Sequence, residues 1–247
     1  MGRYFIELSY KGTRYAGFQI QKNAWTIQSE VEKALEVFFN QKISLTGSSR
    51  TDTGVHALQN YFHFDFEKKI EDACVYNLNS ILPKDISICR IFLMKEESHC
   101  RFDAISRSYK YFIYTKKNPF LEDRAYYFPF NIQFEPLQKV AELIVGYHDF
   151  SGFSKRNSQV KNFFCDVSES FWRIENECFV YNVTANRFLR GMVKALVGTM
   201  LQVGRGKIDI QGFKKIIASK DALLADFSVT GTGLFLQEVR FPAGYFQ

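Results

Sequence analysis

Cysteine is scarce in this chain and does not pair up. Cys74, Cys89, Cys100, Cys165 and Cys178 form an odd set with no Cys-x-x-Cys step, which excludes a disulfide-built scaffold and predicts reduced, buried thiols. No His/Cys group falls at zinc-ligand spacing, and the four histidines, His56, His63, His99 and His148, are scattered along the chain. That spacing predicts no metal site and argues against a metal-dependent hydrolase. No apolar run reaches the length of a membrane span, and Met1-Gly2-Arg3 leads straight into a strand pattern without an apolar leader. The expectation is a cytoplasmic protein with no membrane association. Acidic side chains are outnumbered, 26 against 32 Lys and Arg, for a net charge of +6, a balance that suits a polyanionic partner.

What is present is a large apolar complement. A hydrophobic fraction of 46% over 247 residues excludes disorder and suffices for one large domain or two smaller ones. Aromatics reach 17%, with 26 Phe and 13 Tyr. Most of these rings belong to the core, and rings interleaved with Lys and Arg can also stack bases.

Tyr4, Ile6, Leu8 and Tyr10 alternate and read as a first strand. Ile27, Val31, Ala34, Leu35 and Phe38 then recur at helical spacing behind Thr26, a good N-cap. An apolar run at Ile43 to Leu45 and an alternating run at Tyr61 to Phe66 read as strands, with Tyr61, His63 and Asp65 facing away from Phe62, Phe64 and Phe66. His63 reads there as a half-exposed strand residue. A helix over Asp72 to Leu82 stops at Pro83, and a strand follows at Ile86 to Leu93. Strand, helix, strand, strand, helix, strand is the ferredoxin-like order, so residues 1–103 are expected to form a first domain and 104–247 a second.

The second segment opens on a strand that alternates cations and tyrosines through Arg107, Tyr109, Lys110 and Tyr111. A helix around Leu137 to Ile144, a polar basic loop from Tyr147 to Asn162, two strands joined at Glu175-Asn176-Glu177, a helix at Gln211 to Ser219 and a last strand at Leu234 to Phe241 follow. Between them, Asn186 to Gly198 reads as a helix with Arg187, Arg190 and Lys194 in a basic stripe.

Two stretches hold the chemistry. Gly47-Ser48-Ser49-Arg50-Thr51-Asp52-Thr53-Gly54-Val55-His56-Ala57 sets a cation, a carboxylate and a histidine between two strand-like runs, where a sheet can hold one side chain in place. The other is the Arg187 to Lys194 segment. With Tyr10-x-Gly12, Gly17-Phe18-Gln19-x-Gln21, Arg101-Phe102-x-Ala104, Arg107-x-Tyr109-x-Tyr111, His148-Asp149-Phe150, Phe188-Leu189-x-x-Met192-Val193 and Gly233-Leu234-Phe235-Leu236, they make the chain resemble the tRNA pseudouridine synthase A family over nearly its whole length.

The resemblance implies an α+β fold of two ferredoxin-like (RRM-like) subdomains, with mainly antiparallel sheets forming a central cleft. It makes Asp52 the catalytic aspartate, Tyr109 the ring that packs on the target base and Arg50 a group that positions the flipped nucleotide. Lys194 stands where the family usually has an arginine paired with that carboxylate; Lys keeps the charge and loses the planar fork. Thr53 stands in place of the usual Ala, and Ser48-Ser49 in place of a smaller pair. The implied partner is the anticodon stem-loop of tRNA, at positions 38 to 40, with a homodimer as the working form and no cofactor.

Isomerising uridine breaks the N1–C1′ bond, turns the base and joins C5 to C1′ without redox change. One carboxylate can serve, as nucleophile at C1′ or C6 or as a base toward the sugar, whereas glycoside hydrolysis usually employs two. Asp65 and Asp149 are the alternatives for a second. Lys110, Lys116, Lys117, Arg124, Lys155, Arg156, Lys161, Arg187 and Arg190 are candidates for phosphate contacts. Two further readings stay open: a pseudouridine synthase with a shifted target, and a catalytically silent RNA-binding protein of the same fold, although Tyr61 to Phe66 does not fit the RNP1 pattern.

Overall fold

The alternation of Tyr4, Ile6, Leu8 and Tyr10 becomes strand β1 (Gly2–Tyr10), and its place is central. β1 pairs antiparallel with β3 (His56–Phe66) on one side and with β4 (Ile86–Met94) on the other. A short β2 (Thr46–Gly47) adds to β3. The computed structural model describes residues 1–156, 160 and 162–246, which divide into two compact units: Met1–Ile105 with Phe235–Gln247, and Ser106–Leu234. The fold is α+β, with mostly antiparallel strands and, among the described residues, five α-helices. None of these helices is long and apolar enough to cross a membrane.

In the first unit the N-cap reading of Thr26 holds. Its hydroxyl accepts the Ser29 N–H, the Ser29 hydroxyl accepts the Thr26 N–H, and helix α1 (Ile27–Phe39) runs from there with Ile27, Val31, Ala34 and Leu35 buried. α2 (Ala73–Ile81) packs against β4 and α1. The run Ile43 to Leu45 is not a strand. Leu45 donates its N–H to Glu32 Oε1 and accepts Gln28 Nε2–H, both from α1, so its backbone is satisfied without a sheet partner.

Both faces of this sheet are covered, which the alternation alone did not reveal. On one face Phe39 of α1 lies 4.6 Å from Phe66, and Phe18 stacks on Phe62 at 4.3 Å. On the other, the chain's end returns: Phe241, Tyr245 and Phe246 pack on Phe5, and Phe241 and Phe246 also on Tyr61. Expected to be half-exposed, His63 is instead 6% exposed and stacked on Phe5. Burial first, then His99 and Arg3, push its pKa down to about 4. Strand β9 (Leu234–Arg240) pairs parallel with β3 at His56 and Ala57, so the expected 104–247 segment gives up its last residues to the first unit.

The second unit is built on β5 (Ser106–Tyr114), β7 (Val167–Glu175) and β8 (Cys178–Ala185), antiparallel in the order β5-β8-β7, with a short β6 (Tyr126–Tyr127) along β5. Asn176 and Glu177 both have positive φ, the twist that a two-residue hairpin turn demands. Helices α3 (Phe134–Ile144), α4 (Met192–Gly204) and α5 (Ile210–Ser219) complete it.

The expected helix over Asn186 to Gly198 is corrected. Gly191 sits at φ +75°, where a Cβ would also meet Lys155 Cγ at 3.0 Å, so α4 begins only at Met192. Arg187 and Arg190 precede it, so they do not share a helical stripe with Lys194. Every residue of α4 except Gln202 is buried, Lys194 included, which is the pattern of a core helix rather than one facing solvent.

The C-terminal rings should dominate the stability of the first unit. Truncating Phe241, 8% exposed and touching four aromatic rings, is expected to lower unfolding free energy by about 3–5 kcal/mol. Urea unfolding of Phe241→Ala checks this; a loss under about 1 kcal/mol would show that the returning tail adds little.

Candidate active site

The Asp52 loop is built from the backbone outward. Ser48 N–H bonds to Tyr61 O, and the Asn60 amide on β3 takes Ser49 N–H and gives an N–H back to Ser49 O at 2.8 Å. The same Asn60 amide donates to Tyr10 Oη, which lies 2.8 Å from Thr51 Oγ1. Asn60 is fully buried and Thr51 nearly so, so this short polar chain works in a low-dielectric setting, where satisfied hydrogen bonds are rigid. Reading the sequence passed over Asn60 and placed Tyr10 only as a strand and motif residue; both fix the loop. The available signal was an amide set in the middle of a strand of aromatic and aliphatic residues.

The loop's far side is pinned by glycines. Gly12 lies so close to Val55 that a Cβ would stand 1.9 Å from the Val55 carbonyl oxygen, and Gly12 N–H bonds to His56 Nδ1 at 3.2 Å. Gly17, at φ +116°, leaves room for Thr51 O, and Phe18 N–H donates to that same oxygen. His56 is buried and stacks on Phe235 at 4.4 Å. The sequence motifs around Gly12, Gly17-Phe18 and Phe235 thus meet at one loop of the first unit. Within it Val55 N–H closes a turn on Asp52 O, and Gly54 takes φ +75°. Asp52 is left half-buried and Arg50 exposed.

The two alternative carboxylates are committed elsewhere. Asp65 accepts both Arg3 Nε and Arg3 Nη2, at 2.5 and 3.0 Å, and that guanidinium holds its carboxyl below the usual carboxylate range. Asp149 is bound to Lys220 at 2.7 Å and caps Ser151. The hydroxyls of Ser48 and Ser49, next to the loop, are buried without a hydrogen-bond partner among the described residues, which fits positions where a smaller pair would serve.

In the second unit Tyr109 lies on β5, half-buried, opposite Val183 and with Phe188 edge-on at 5.0 Å. Lys194 occupies the first turn of α4, 9% exposed.

Of the candidate phosphate contacts, Lys110 pairs with Glu175, Arg124 with Asp123 and Arg156 with Asp221. Arg187 donates to Asn162. Lys116, Lys117 and Arg190 are exposed, and Lys161 lies outside the described residues. Linear spacing also hid one cluster: ligand atoms of His63, His99 and Cys100 lie within 4.8 Å of one another.

The Gly12 approach makes a sharp prediction. Gly12→Ala should destabilise the protein by about 1–3 kcal/mol or more, because a backbone oxygen cannot swing aside as a side chain would. Gly146→Ala, whose Cβ would meet only Leu143 O at 3.5 Å, should change it by about 0.5 kcal/mol or less. Thermal unfolding of the pair checks this, and equal effects would refute the close approach.

Comparison with known proteins gives a consistent result. A family profile described as tRNA pseudouridine synthase matches residues 140–242. A tRNA pseudouridine synthase A from Parabacteroides distasonis is 42% identical over 248 residues, covering 100% of this chain and 98% of the relative. One from Bacteroides thetaiotaomicron is 41% identical over 250 residues, covering 100% and 93%. A more distant one from Staphylococcus aureus is 33% identical over 240 residues, covering 96% and 90%. With identity at this level sustained from end to end, the chain belongs to the tRNA pseudouridine synthase A family.

Proposed function

We propose that this enzyme isomerises uridine to pseudouridine in tRNA, at positions 38 to 40 of the anticodon stem-loop, with Asp52 as its catalytic carboxylate. The observation that carries this reading is the way Asp52 is held. Its loop is fixed by buried bonds from Tyr10 and Asn60 and by close glycine contacts, while Asp65 and Asp149 are tied to Arg3 and Lys220. One fixed carboxylate suits an isomerisation and not a hydrolysis that needs a second to activate water.

The reaction balances without a cofactor. The N1–C1′ bond breaks, the base turns, C5 joins C1′, the C5 proton leaves to solvent and N1 gains one. Asp52 supplies the single charge that each route requires, whether it adds to C1′ or C6 or takes a proton from the sugar. The target base must leave the helical stack, at a cost of a few kcal/mol. In this reading Tyr109 offsets part of that by stacking, roughly 1–3 kcal/mol, Arg50 positions the flipped nucleotide, and Lys194 supplies the cation that the family pairs with this carboxylate.

The architecture follows the same reading: two ferredoxin-like (RRM-like) subdomains, the first carrying the Asp52 loop and the second completing an RNA-binding cleft. The strand order β4-β1-β3-β2 in the first unit supports its half of this. The enzyme works in the cytoplasm as a homodimer. Its net charge of +6 suits a phosphate-rich partner.

Mapping pseudouridine in tRNA from cells lacking this protein tests the target. Loss at positions 38 to 40, restored by the wild-type gene, is expected. Pseudouridine intact at all three would overturn the positional assignment.

A further inference from the structure

His63 belongs to β3, and His99 and Cys100 to the turn that follows β4. The fold brings them together: His63 Nδ1 lies 3.2 Å from Cys100 Sγ, the two imidazoles meet edge-on with centroids 4.5 Å apart, and the ligand atoms of all three residues lie within 4.8 Å of one another. His63 and Cys100 are buried, and His99 is half-buried. We propose that this trio binds a d10 transition-metal cation of the class that favours thiolate and imidazole, represented by Zn2+, as a second site separate from the Asp52 loop.

One side of the triangle already suits such an ion. With metal–nitrogen bonds of about 2.0–2.1 Å and a metal–sulfur bond of about 2.3 Å, an ion held by His63 Nδ1 and Cys100 Sγ at their present separation would see them at an angle of about 95°, near the tetrahedral range. Tetrahedral angles at the ion put its ligand atoms about 3.3–3.6 Å apart, so a side of the triangle as long as 4.8 Å must contract by about 1.2–1.5 Å. His99, half-buried in a turn, would supply that movement by giving up the N–H bonds to its Nδ1 and its ring contact with Phe102 at 4.2 Å. Water on its exposed side completes four-coordination, as in sites with three protein ligands.

The groups already on these atoms can give way. The backbone N–H bonds to His63 Nδ1 (from Cys100, 3.3 Å) and to His99 Nδ1 from Phe102 (3.4 Å) are long, and the one from Arg101 at 3.1 Å is of ordinary length. The Cys100 thiol donates to Thr46 O at 3.3 Å, and its proton passes to solvent as the metal–sulfur bond forms. The nearby Arg3 guanidinium is neutralised by Asp65. A bound ion would staple β3 to the turn that opens the Arg101-Phe102 motif.

Titrating the reduced, chelator-treated full chain with Co2+ and then Zn2+ tests this. A thiolate-to-cobalt charge-transfer band that saturates at one equivalent, is bleached by Zn2+, persists in Cys89→Ser and is lost in Cys100→Ser is expected. His99→Ala, a change at a half-buried turn position that keeps the test open should Cys100→Ser misfold, should weaken Co2+ binding about tenfold or more. Absence of the band in wild type, its loss in Cys89→Ser, or affinity unchanged in His99→Ala would show a hydrogen-bonded trio and no metal site.

Discussion

The approach of the Gly12 backbone to the Val55 carbonyl is the contact on which the architecture around Asp52 depends. With room for no side chain at Gly12, the end of β1 and the start of β3 are drawn together, and the loop between β2 and β3 has one path left. Asn60, Tyr10 and Thr51 then fix that path from the opposite side through buried hydrogen bonds. Close-packed backbone and satisfied buried polar groups resist displacement far more than a solvated turn does. The result is a loop backbone around Asp52 whose path is set by the sheet.

Around it the apolar chemistry divides by face. α1 covers one side of the first sheet, and the returning C-terminal rings cover the other. This second cover explains why Tyr61 and His63 are buried although they alternate with the Phe62, Phe64 and Phe66 series. Family membership rests on end-to-end identity with its relatives, and the loop geometry supplies a physical reason for the motifs around Gly12, Gly17 and Asp52.

Much of the fold was legible in the letters. The Thr26 cap, the period-two runs of β1 and β3 and the hairpin at Asn176-Glu177 all report local physics, and local physics is what a sequence displays. What escaped was set by distant partners. Leu45 satisfies its backbone on α1 rather than in a ladder. Helix α4 starts late because of the conformation of Gly191, so the basic stripe read through Arg187, Arg190 and Lys194 was a projection onto residues that are not helical together. His63, His99 and Cys100 lie in two segments far apart along the chain, and only the pairing of β4 with β1 and of β1 with β3 brings them together. Within the site, Asp52 stood out through its motif, whereas Asn60 and Tyr10 act through hydrogen bonds that no spacing rule announces.

In the proposed reaction one carboxylate, Asp52, performs the isomerisation. Tritium release from tRNA carrying uridine labelled at C5 tests it most directly, because every turnover expels the C5 hydrogen and hydrolysis of the glycosidic bond would not. Wild-type protein should release tritium, and Asp52→Ala should release none above background while binding the same tRNA with similar affinity. Release by Asp52→Ala would assign the chemistry to another group, and none by the wild type despite tRNA binding would leave a catalytically silent RNA-binding protein.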